Sequence, residues 1–308
     1  MKKIDFKPVE LNDLDDIYKY TSKYGEGSCQ HSPVSMYSAS EKYGDEFCIL
    51  DDTLFVLRKN LCDETYRVYL APLGNGDIKK GFEKILSDAA EYGKKVKFLT
   101  LTDKYANELS ETFPSEFEIV KDRDLSEYMY ETEKMSTYSG RSLKKRRSEV
   151  NSFWTRYGQR AEVRLIEEKD HKDIIDFERK WVEINRDTHD VDALEREERM
   201  IKMQLSVFDK LGLSGIVLRI DGEVCGFGYG SRLSDDFYDA IIEKGDKNVP
   251  YIYKVLRMES VKQCAMECKY VNMEEDVGIE GLRALKYSYR PAYLLDKNIA
   301  IQKDGGSR

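Results

Sequence analysis

Five basic residues lie within seven positions of a chain that is otherwise acidic. Arg141, Lys144, Lys145, Arg146 and Arg147 occur in the segment GRSLKKRR, although the formal net charge of the 308 residues is -8. Such a run repels itself unless solvent or a bound anion offsets the charge. On a helix, Arg141, Lys144 and Lys145 would share one face. The run predicts either a solvated helix face or a site for phosphate, carboxylate or nucleic-acid backbone.

The composition limits the class of protein. Charged residues make up 35% of the chain and hydrophobic residues 41%, which is typical of a soluble globular protein. A length of 308 residues favours two domains. No apolar run approaches the roughly 20 residues of a membrane helix, and the acidic start lacks the apolar region of a signal peptide. We therefore expect a cytoplasmic protein without a membrane-spanning segment.

The cysteines and histidines do not predict a metal centre. Six cysteines have neither a disulfide-framework nor a zinc-like spacing, and three histidines are scattered along the chain. Cys264 and Cys268 are one helical turn apart, which favours core-facing thiols over ligands. We expect a reduced protein that binds no metal.

Hydrophobic periodicity divides the chain into two α/β halves on either side of the basic run. In the first half, strands are predicted over 47–50, 53–58, 66–70, 96–101 and 117–120, with helices over 9–22, 34–43, 78–92 and 104–113. In the second half, a strand over 161–166 and helices over 170–186 and 192–211 precede three strands over 214–220, 223–231 and 237–242. Asp221-Gly222 predicts a tight hairpin between the first two of these strands. A helix over 251–268, a strand over 270–273, a helix over 278–286 and a strand over 293–301 follow. This is the element order of a GNAT acyltransferase domain.

Four motifs occur in an order that resembles a known family. They are GRSLKKRR at 140–147, Glu243-Lys244, NMEEDVGIEGLR at 272–283 and KYSYRP at 286–291. The set resembles the DUF2156 family, which is shared with the C-terminal part of lysylphosphatidylglycerol synthase. The resemblance implies an α/β (α+β) fold of two GNAT-like acyltransferase domains in tandem, related to the Fem-type aminoacyltransferases. We expect an N-terminal domain over 1–135, a bridging basic helix over 136–158 and a C-terminal domain over 159–308.

The same resemblance implies an acyl- or aminoacyltransferase and a set of site residues. Relatives of known activity move an aminoacyl group from a charged tRNA to an amine or hydroxyl acceptor. The implied catalytic residues are Glu243 and Asp276. The implied substrate-binding residues are Lys144, Lys145, Arg146, Tyr251, Asn272, Arg283, Lys286 and Tyr289.

Departures from the family pattern bear on the substrate. The family favours Asn where Arg147 stands and Arg where Met273 stands. We expect the protein to lack the membrane domain that delivers lipid in the synthase. The segment GDKNVPYIY, where acetyl-CoA enzymes have a glycine-rich loop, has one glycine and an acid. No cofactor is certain; an aminoacyl-tRNA donor with phosphates on Lys144, Lys145 and Arg146 fits better than acyl-CoA. The expected partners are tRNA and a small-molecule or peptide acceptor.

Glu243 and Asp276 follow neighbouring predicted strands, so we expect their carboxylates to approach one opening. An acceptor amine arrives protonated, and a carboxylate can hold the ammonium and accept its proton. Lys244 should alternate to the opposite face of the strand. These motifs also have purely structural interpretations. The alternative for Glu243-Lys244 is a surface ion pair, and the alternative for Asp276 is a charge that stabilises the N-terminus of the following helix. For the whole chain, the alternative is a non-catalytic sensor or binding protein for an anionic ligand.

Overall fold

The computed structural model describes residues 3–187 and 190–304. In these ranges the strands are β1 Lys7–Pro8, β2 Asp45–Leu50, β3 Thr53–Arg58, β4 Tyr66–Tyr69, β5 Leu73–Gly74, β6 Lys95–Thr102, β7 Phe117–Glu131, β8 Ala161–Leu165, β9 Leu213–Ile220, β10 Glu223–Arg232, β11 Phe237–Gly245, β12 Tyr270–Asn272 and β13 Tyr293–Gln302. The helices are α1 Leu14–Tyr24, α2 Pro33–Ser38, α3 Ser40–Tyr43, α4 Ile78–Glu91, α5 Asp103–Thr112, α6 Thr132–Thr137, α7 Lys144–Tyr157, α8 His171–Asn185, α9 Val191–Ser206, α10 Ile252–Cys264 and α11 Glu280–Ser288. The mixed α/β class expected from the sequence is confirmed.

The chain forms two compact units with boundaries inside β7, α11 and β13. The first unit comprises the residues up to Glu127, Glu275–Ala284, and the residues from Leu294 onward. The second comprises Tyr128–Glu274 and Leu285–Tyr293, and therefore includes the basic helix α7. The domain limits 1–135, 136–158 and 159–308 stay a prediction.

The first unit is built on strands in the order β1-β2-β3-β4-β6-β13-β7. β2, β3 and β4 are antiparallel neighbours, and β6 lies parallel to β4 after the crossover through α4. Buried aromatic side chains of the strands and α4 form the core, with Phe82 packed edge-on against Phe98 at 5.6 Å between ring centroids.

The second unit has strands in the order β7-β12-β11-β10-β9-β8. β8 to β11 form an antiparallel meander, and β12 lies parallel to β11 after the crossover through α10. The turn between β9 and β10 has Asp221 at φ 52° and Gly222 at φ 85°, the two left-handed residues that a tight type I′ hairpin requires. The hairpin predicted from Asp221-Gly222 is confirmed.

The two faces of this sheet are covered by different helices. Leu256 of α10 approaches Gly226 of β10 so closely that a Cβ atom there would lie 2.7 Å from its Cδ1. The next residue, Phe227, points the other way and packs edge-on against Phe177 of α8 at 6.0 Å. Tyr229 shares that face and donates a hydrogen bond to Gln204 of α9 at 2.7 Å. α10 thus covers one face, and α8 and α9 cover the other.

Two elements differ from their predicted bounds for physical reasons. The sequence predicts that β7 ends at Val120, but it continues to Glu131, because its last three residues pair with β12 and the side chains over 126–130 are buried. The basic helix begins only at Lys144, since Gly140 adopts φ 86°. Arg141 therefore lies before the helix and does not share a helical face with Lys144.

Over the described ranges, no helix is long and apolar enough to cross a membrane. Within the same residues, no group of three or more His, Cys, Asp and Glu side chains is arranged to hold a metal ion.

Candidate functional site

Glu243 lies near the end of β11, on the face that α10 covers. Its carboxylate accepts a hydrogen bond from Nη2 of Arg257 at 2.6 Å, and the two side chains retain 24% and 15% of their exposed area. Burial raises the pKa of Glu243, although the charges of Arg257, Lys254 and Lys286 oppose that rise. Burial alone would lower the pKa of Arg257, but the Glu243 carboxylate raises it above its ordinary value. The result is a charged pair held in a largely desolvated position.

An aromatic layer lies against this pair. The guanidinium of Arg257 is 4.5 Å from the ring centroid of Tyr289, and that of Arg146 is 5.0 Å from the same centroid. Tyr289 is buried and packs against Tyr138 at 5.8 Å between centroids. Cation–π contacts of this kind are strongest where water is excluded. Three residues predicted from the sequence, Glu243, Arg146 and Tyr289, therefore belong to one cluster.

The cations of the basic run form two groups that differ in their contacts. Arg146 donates hydrogen bonds to Glu149 at 3.2 Å and to Ser288 at 2.9 Å, and Arg147 donates to the backbone carbonyl of Tyr138. Both arginines therefore connect α7 to other elements of the second unit. The other three cations are exposed and have no carboxylate partner among the described residues: Arg141, Lys144 and Lys145.

Lys286 and Asn272 stabilise the turn after β12. The ammonium of Lys286 donates hydrogen bonds to the backbone carbonyls of Met273 and Glu274 and lies 5.4 Å from the ring centroid of Tyr128. The side-chain oxygen of Asn272 accepts a hydrogen bond from the Glu274 amide at 2.7 Å. Glu274 adopts φ 55°, which costs energy in a residue other than glycine. These contacts give both predicted residues a positioning role at this turn.

Asp276 and Arg283 form an ion cluster within the first unit. Asp276 is fully buried and accepts hydrogen bonds from Arg283 at 2.8 and 3.0 Å, from Arg123 at 3.3 Å and from the Gly278 amide at 3.0 Å. Hydrogen bonds to Asp276, then to Asp124, raise the pKa of Arg283. Asp276 thus forms ion pairs with two guanidinium groups. Glu243 and Asp276 belong to different units, and each has its own arginine partner within its unit.

Tyr251 adopts φ 69° immediately before α10 and is 40% exposed. Its backbone carbonyl accepts hydrogen bonds from the amides of Lys254 and Val255. The structure thus places Tyr251 at the start of the helix that carries Arg257.

A pocket of about 290 Å³ borders the cluster through Tyr289. Tyr130 and Arg290 also line it, as do Glu131 and Lys134, which form an ion pair at 2.6 Å. Arg290 is exposed, adopts φ 61°, and has no ion pair among the described residues. The hydroxyl of Tyr130 donates a hydrogen bond to the backbone carbonyl of Lys286 at 2.8 Å. Two tyrosines and an arginine without an ion pair among the described residues therefore line the pocket, and Tyr289 connects it to Arg257 of the Glu243–Arg257 pair.

The sequence did not predict three residues of this region: Arg257, Tyr130 and Tyr138. Arg257 follows the buried Val255 and Leu256 on α10, and an arginine beside an apolar helix face is a signal for a buried carboxylate partner. Tyr130 and Tyr138 carry no spacing that separates them from ordinary core residues, so only the fold identifies them.

Lys244 lies on the opposite face from Glu243, as strand alternation predicts. Its ammonium contacts Glu197, lies 3.7 Å from an oxygen of Glu178, and lies 3.7 Å from the ring centroid of Trp181. The residue is only 6% exposed. Lys244 therefore neutralises two carboxylates of α8 and α9.

The sequence and the fold of this chain resemble those of known proteins. The family model described as phosphatidylglycerol lysyltransferase, C-terminal, matches residues 22–301. A conserved protein of unknown function from Bacteroides thetaiotaomicron is 28% identical, with a TM-score of 0.91 over 97% of this chain and 100% of that one.

Two more distant structures share the fold. The L-PGS of Bacillus licheniformis is 15% identical, with a TM-score of 0.68 over 99% of this chain and 95% of that one. A tandem GNAT protein from the clavulanic acid biosynthesis pathway is 8% identical, with a TM-score of 0.52 over 99% and 100%. At these identities the likeness shows the fold alone, and it confirms GNAT-like neighbours. Because the family model spans nearly the whole chain and agrees with the four motifs, the chain belongs to the family of the phosphatidylglycerol lysyltransferase C-terminal domain.

Proposed function

We propose that the protein is an acyl- or aminoacyltransferase that moves an acyl or aminoacyl group to an amine or hydroxyl acceptor. Membership of a family described as a lysyltransferase supports this class of reaction. The observation that carries the proposal is the desolvated Glu243–Arg257 pair, packed on Tyr289 at the wall of a pocket of about 290 Å³.

In this proposal, Glu243 accepts the proton of the acceptor amine. The nitrogen forms a bond to the carbonyl carbon of the donor, and the ester or thioester bond breaks. The acceptor ammonium releases one proton to solvent before the attack. The proton that the nitrogen loses as the amide forms moves to the Glu243 carboxylate and from there to the leaving oxygen or sulfur. Burial, which raises the pKa of Glu243, makes it a better proton acceptor than an exposed glutamate. Arg257 keeps the carboxylate oriented through its hydrogen bond at 2.6 Å.

During the transfer, negative charge develops on the carbonyl oxygen of the acyl donor, and a hydrogen-bond donor must stabilise that charge. Arg290 is the cation of the pocket that we assign to this role. It lines the pocket and has no ion pair among the described residues. A guanidinium in place before the reaction stabilises an oxyanion without reorganisation. Tyr289 fixes the adjacent wall because two guanidinium groups lie against its ring.

For Asp276 we propose a positioning role. Its two oxygens accept hydrogen bonds from two arginines and a backbone amide, so it keeps the turn before α11 in place. A shared opening for Glu243 and Asp276 stays a prediction.

The donor that fits the exposed cations is an aminoacyl-tRNA. Arg141, Lys144 and Lys145 have no carboxylate partner among the described residues and are free to contact phosphates. The chain is acidic overall, so a local patch of this kind would supply the attraction for RNA. An acyl-CoA donor would require phosphate contacts from the segment before α10, where Asp246 adds a negative charge.

We also propose that the chain contains two GNAT-like halves. From β1 to α5, a strand and three helices precede the meander β2–β4, which is followed by the short strand β5, helix α4, strand β6 and helix α5. From β8 to α11, a strand and two helices precede the meander β9–β11, which is followed by helix α10, strand β12 and helix α11. In each unit the third strand of the meander is followed by a parallel neighbour after one crossover helix. A repeated topology of this kind is typical of tandem domains.

A transfer assay tests the proposed function. Wild type is incubated with a panel of labelled aminoacyl-tRNAs and acyl-CoAs and with mixed amine and hydroxyl acceptors, and product is compared with that of Glu243→Gln. We expect the variant to remain folded with a lower Tm, because Arg257 loses its carboxylate partner. Assayed below that Tm, it should lose at least about a hundredfold in rate, the scale of general-base catalysis. Glu267→Gln, at a side chain that is 85% exposed in the same unit, is the matched control.

Turnover by Glu243→Gln at the wild-type rate would rule out the proton-acceptor role. Binding of the donors without any transfer by wild type would favour the sensor of an anionic ligand.

A further inference from the structure

A second cleft lies in the second unit, on the face of the sheet that α8 covers. Its volume is about 440 Å³, and it is bounded by α8, the β9–β10 turn and the residues after β11. Pockets of a few hundred Å³ hold small ligands. Glu243 contacts α10 on the opposite face, so this cleft is separate from the proposed transfer site.

Two aromatic side chains of α8 form one wall of the cleft. Trp181 is held by the ammonium of Lys244, 3.7 Å from its ring centroid, and Phe177 packs edge-on against Phe227. Lys244 and Phe227 face each other across β11 and β10. The strands thus fix both rings from the sheet, and the parts of the rings that line the cleft form a rigid surface for another flat apolar group.

Of the charged side chains that line the cleft, two cations and two carboxylates have no ion pair among the described residues. Asp173 is paired with Arg219 at 2.8 Å, and Asp176 is paired with Arg179 at 3.3 Å. The charged side chains that line the cleft and have no ion pair among the described residues are Lys180, Lys247, Glu223 and Asp246. A ligand that satisfies both signs carries one negative and one positive group.

We propose that this cleft binds a zwitterionic amino acid with an aromatic side chain. The ring packs on Trp181 and Phe177, the carboxylate is held by Lys180 or Lys247, and the ammonium by Glu223 or Asp246. A nucleotide fits less well, because its phosphates would face the two unpaired carboxylates. A purely cationic ligand would meet the two lysines.

The experiment uses the indole of Trp181 as the reporter. The chain has two tryptophans, so Trp154→Phe leaves Trp181 as the single indole. L-phenylalanine is titrated under selective indole excitation, and calorimetry on the wild-type protein provides a second readout. We expect saturable binding by both methods. 2-Phenylethylamine and 3-phenylpropionate, which each lack one charge, should bind at least about tenfold more weakly.

Charge-removal variants locate the ligand. The double variant Lys180→Ala/Lys247→Ala should weaken phenylalanine binding at least about tenfold. Lys172→Ala removes an exposed lysine of the same helix that does not line the cleft and should leave binding unchanged. Absence of both heat and fluorescence change would overturn the proposal, as would unchanged binding in the double variant. If 3-phenylpropionate bound as tightly as phenylalanine, the ammonium would make no contact in the cleft. That result would overturn the zwitterion proposal in favour of a site for a carboxylate alone.

Discussion

Glu243 and Lys244 are adjacent in the chain, but their side chains lie on opposite faces of the sheet of the second unit. Glu243 accepts a hydrogen bond from Arg257 of α10 at 2.6 Å, whereas Lys244 lies 3.7 Å from the ring centroid of Trp181 of α8. The alternation of a strand gives neighbouring residues different surroundings. One residue therefore borders the proposed transfer site, and the other lies between the buried carboxyl group of Glu178 and the partly exposed one of Glu197.

Replacing Lys244 should affect stability rather than chemistry. Lys244→Ala would leave Glu178, whose side chain is 1% exposed, and Glu197 without their shared cation. At pH 8, where Glu178 is ionised, removing this partner of a buried ion pair costs about 3 kcal/mol, which urea unfolding of the purified variant measures. Lys262→Ala, at a side chain that is 58% exposed, should cost less than about 1 kcal/mol. A stable Lys244→Ala variant that has lost transfer activity would instead place Lys244 in the chemistry.

Glu178 should make the free energy of unfolding fall as the pH rises. Burial raises the pKa of Glu178 to about 7, from an ordinary value of 4.5. Between these values the folded state holds a proton that the unfolded state has released. The stabilisation is therefore present below about pH 4.5 and is lost as the pH approaches 7. The difference amounts to at most about 3 kcal/mol.

Unfolding of wild type and Glu178→Gln by urea at pH 5 and pH 8 measures this contribution. The variant should show a smaller loss between the two pH values, because it has no proton to release at this position. An identical pH dependence in both proteins would contradict the raised pKa.

His31 should make the free energy of unfolding fall as the pH falls. Burial, followed by the charge of Lys297, lowers the pKa of His31 to about 3, from an ordinary value of 6.5. The unfolded state therefore binds a proton first as the pH falls, so stability is full above pH 6.5 and declines below it. Between pH 6.5 and 5 the loss is about 2 kcal/mol. His31→Gln should lack this decline in urea unfolding. His171→Gln, at a half-buried histidine of the other unit, should keep the decline.

The exposed cations at the start of α7 should set the affinity for RNA. Lys144→Ala/Lys145→Ala should weaken tRNA binding and reduce the slope of log affinity against log salt by about 1.5, because two phosphate contacts are lost. Filter binding over a range of salt concentrations measures both quantities. Lys172→Ala/Lys210→Ala removes two exposed lysines elsewhere in the same unit and keeps the net charge matched. Equal slopes for the two double variants would assign Lys144 and Lys145 to a solvated helix face.

The sequence by itself determined the elements that depend on local chemistry. Asp221-Gly222 specifies its hairpin because both positions accept positive φ, and the alternation of β11 separates Lys244 from Glu243 without reference to the rest of the fold. The four motifs were sufficient to identify the family, since their residue types and order are more specific than any composition. The basic run was also visible, but its division into packed arginines and exposed lysines was not.

Only the tertiary structure decided which charges meet. Arg257 is 14 positions from Glu243, and no spacing rule links a strand residue to the helix that later crosses its face. Asp276 shows the same limit, because its partner Arg123 lies 153 positions away in the chain. β7 continues through a polar segment to residues that pair with β12, a strand from a distant part of the chain. Periodicity describes how one element faces its surroundings, whereas ion pairs depend on long-range packing that brings separate elements together.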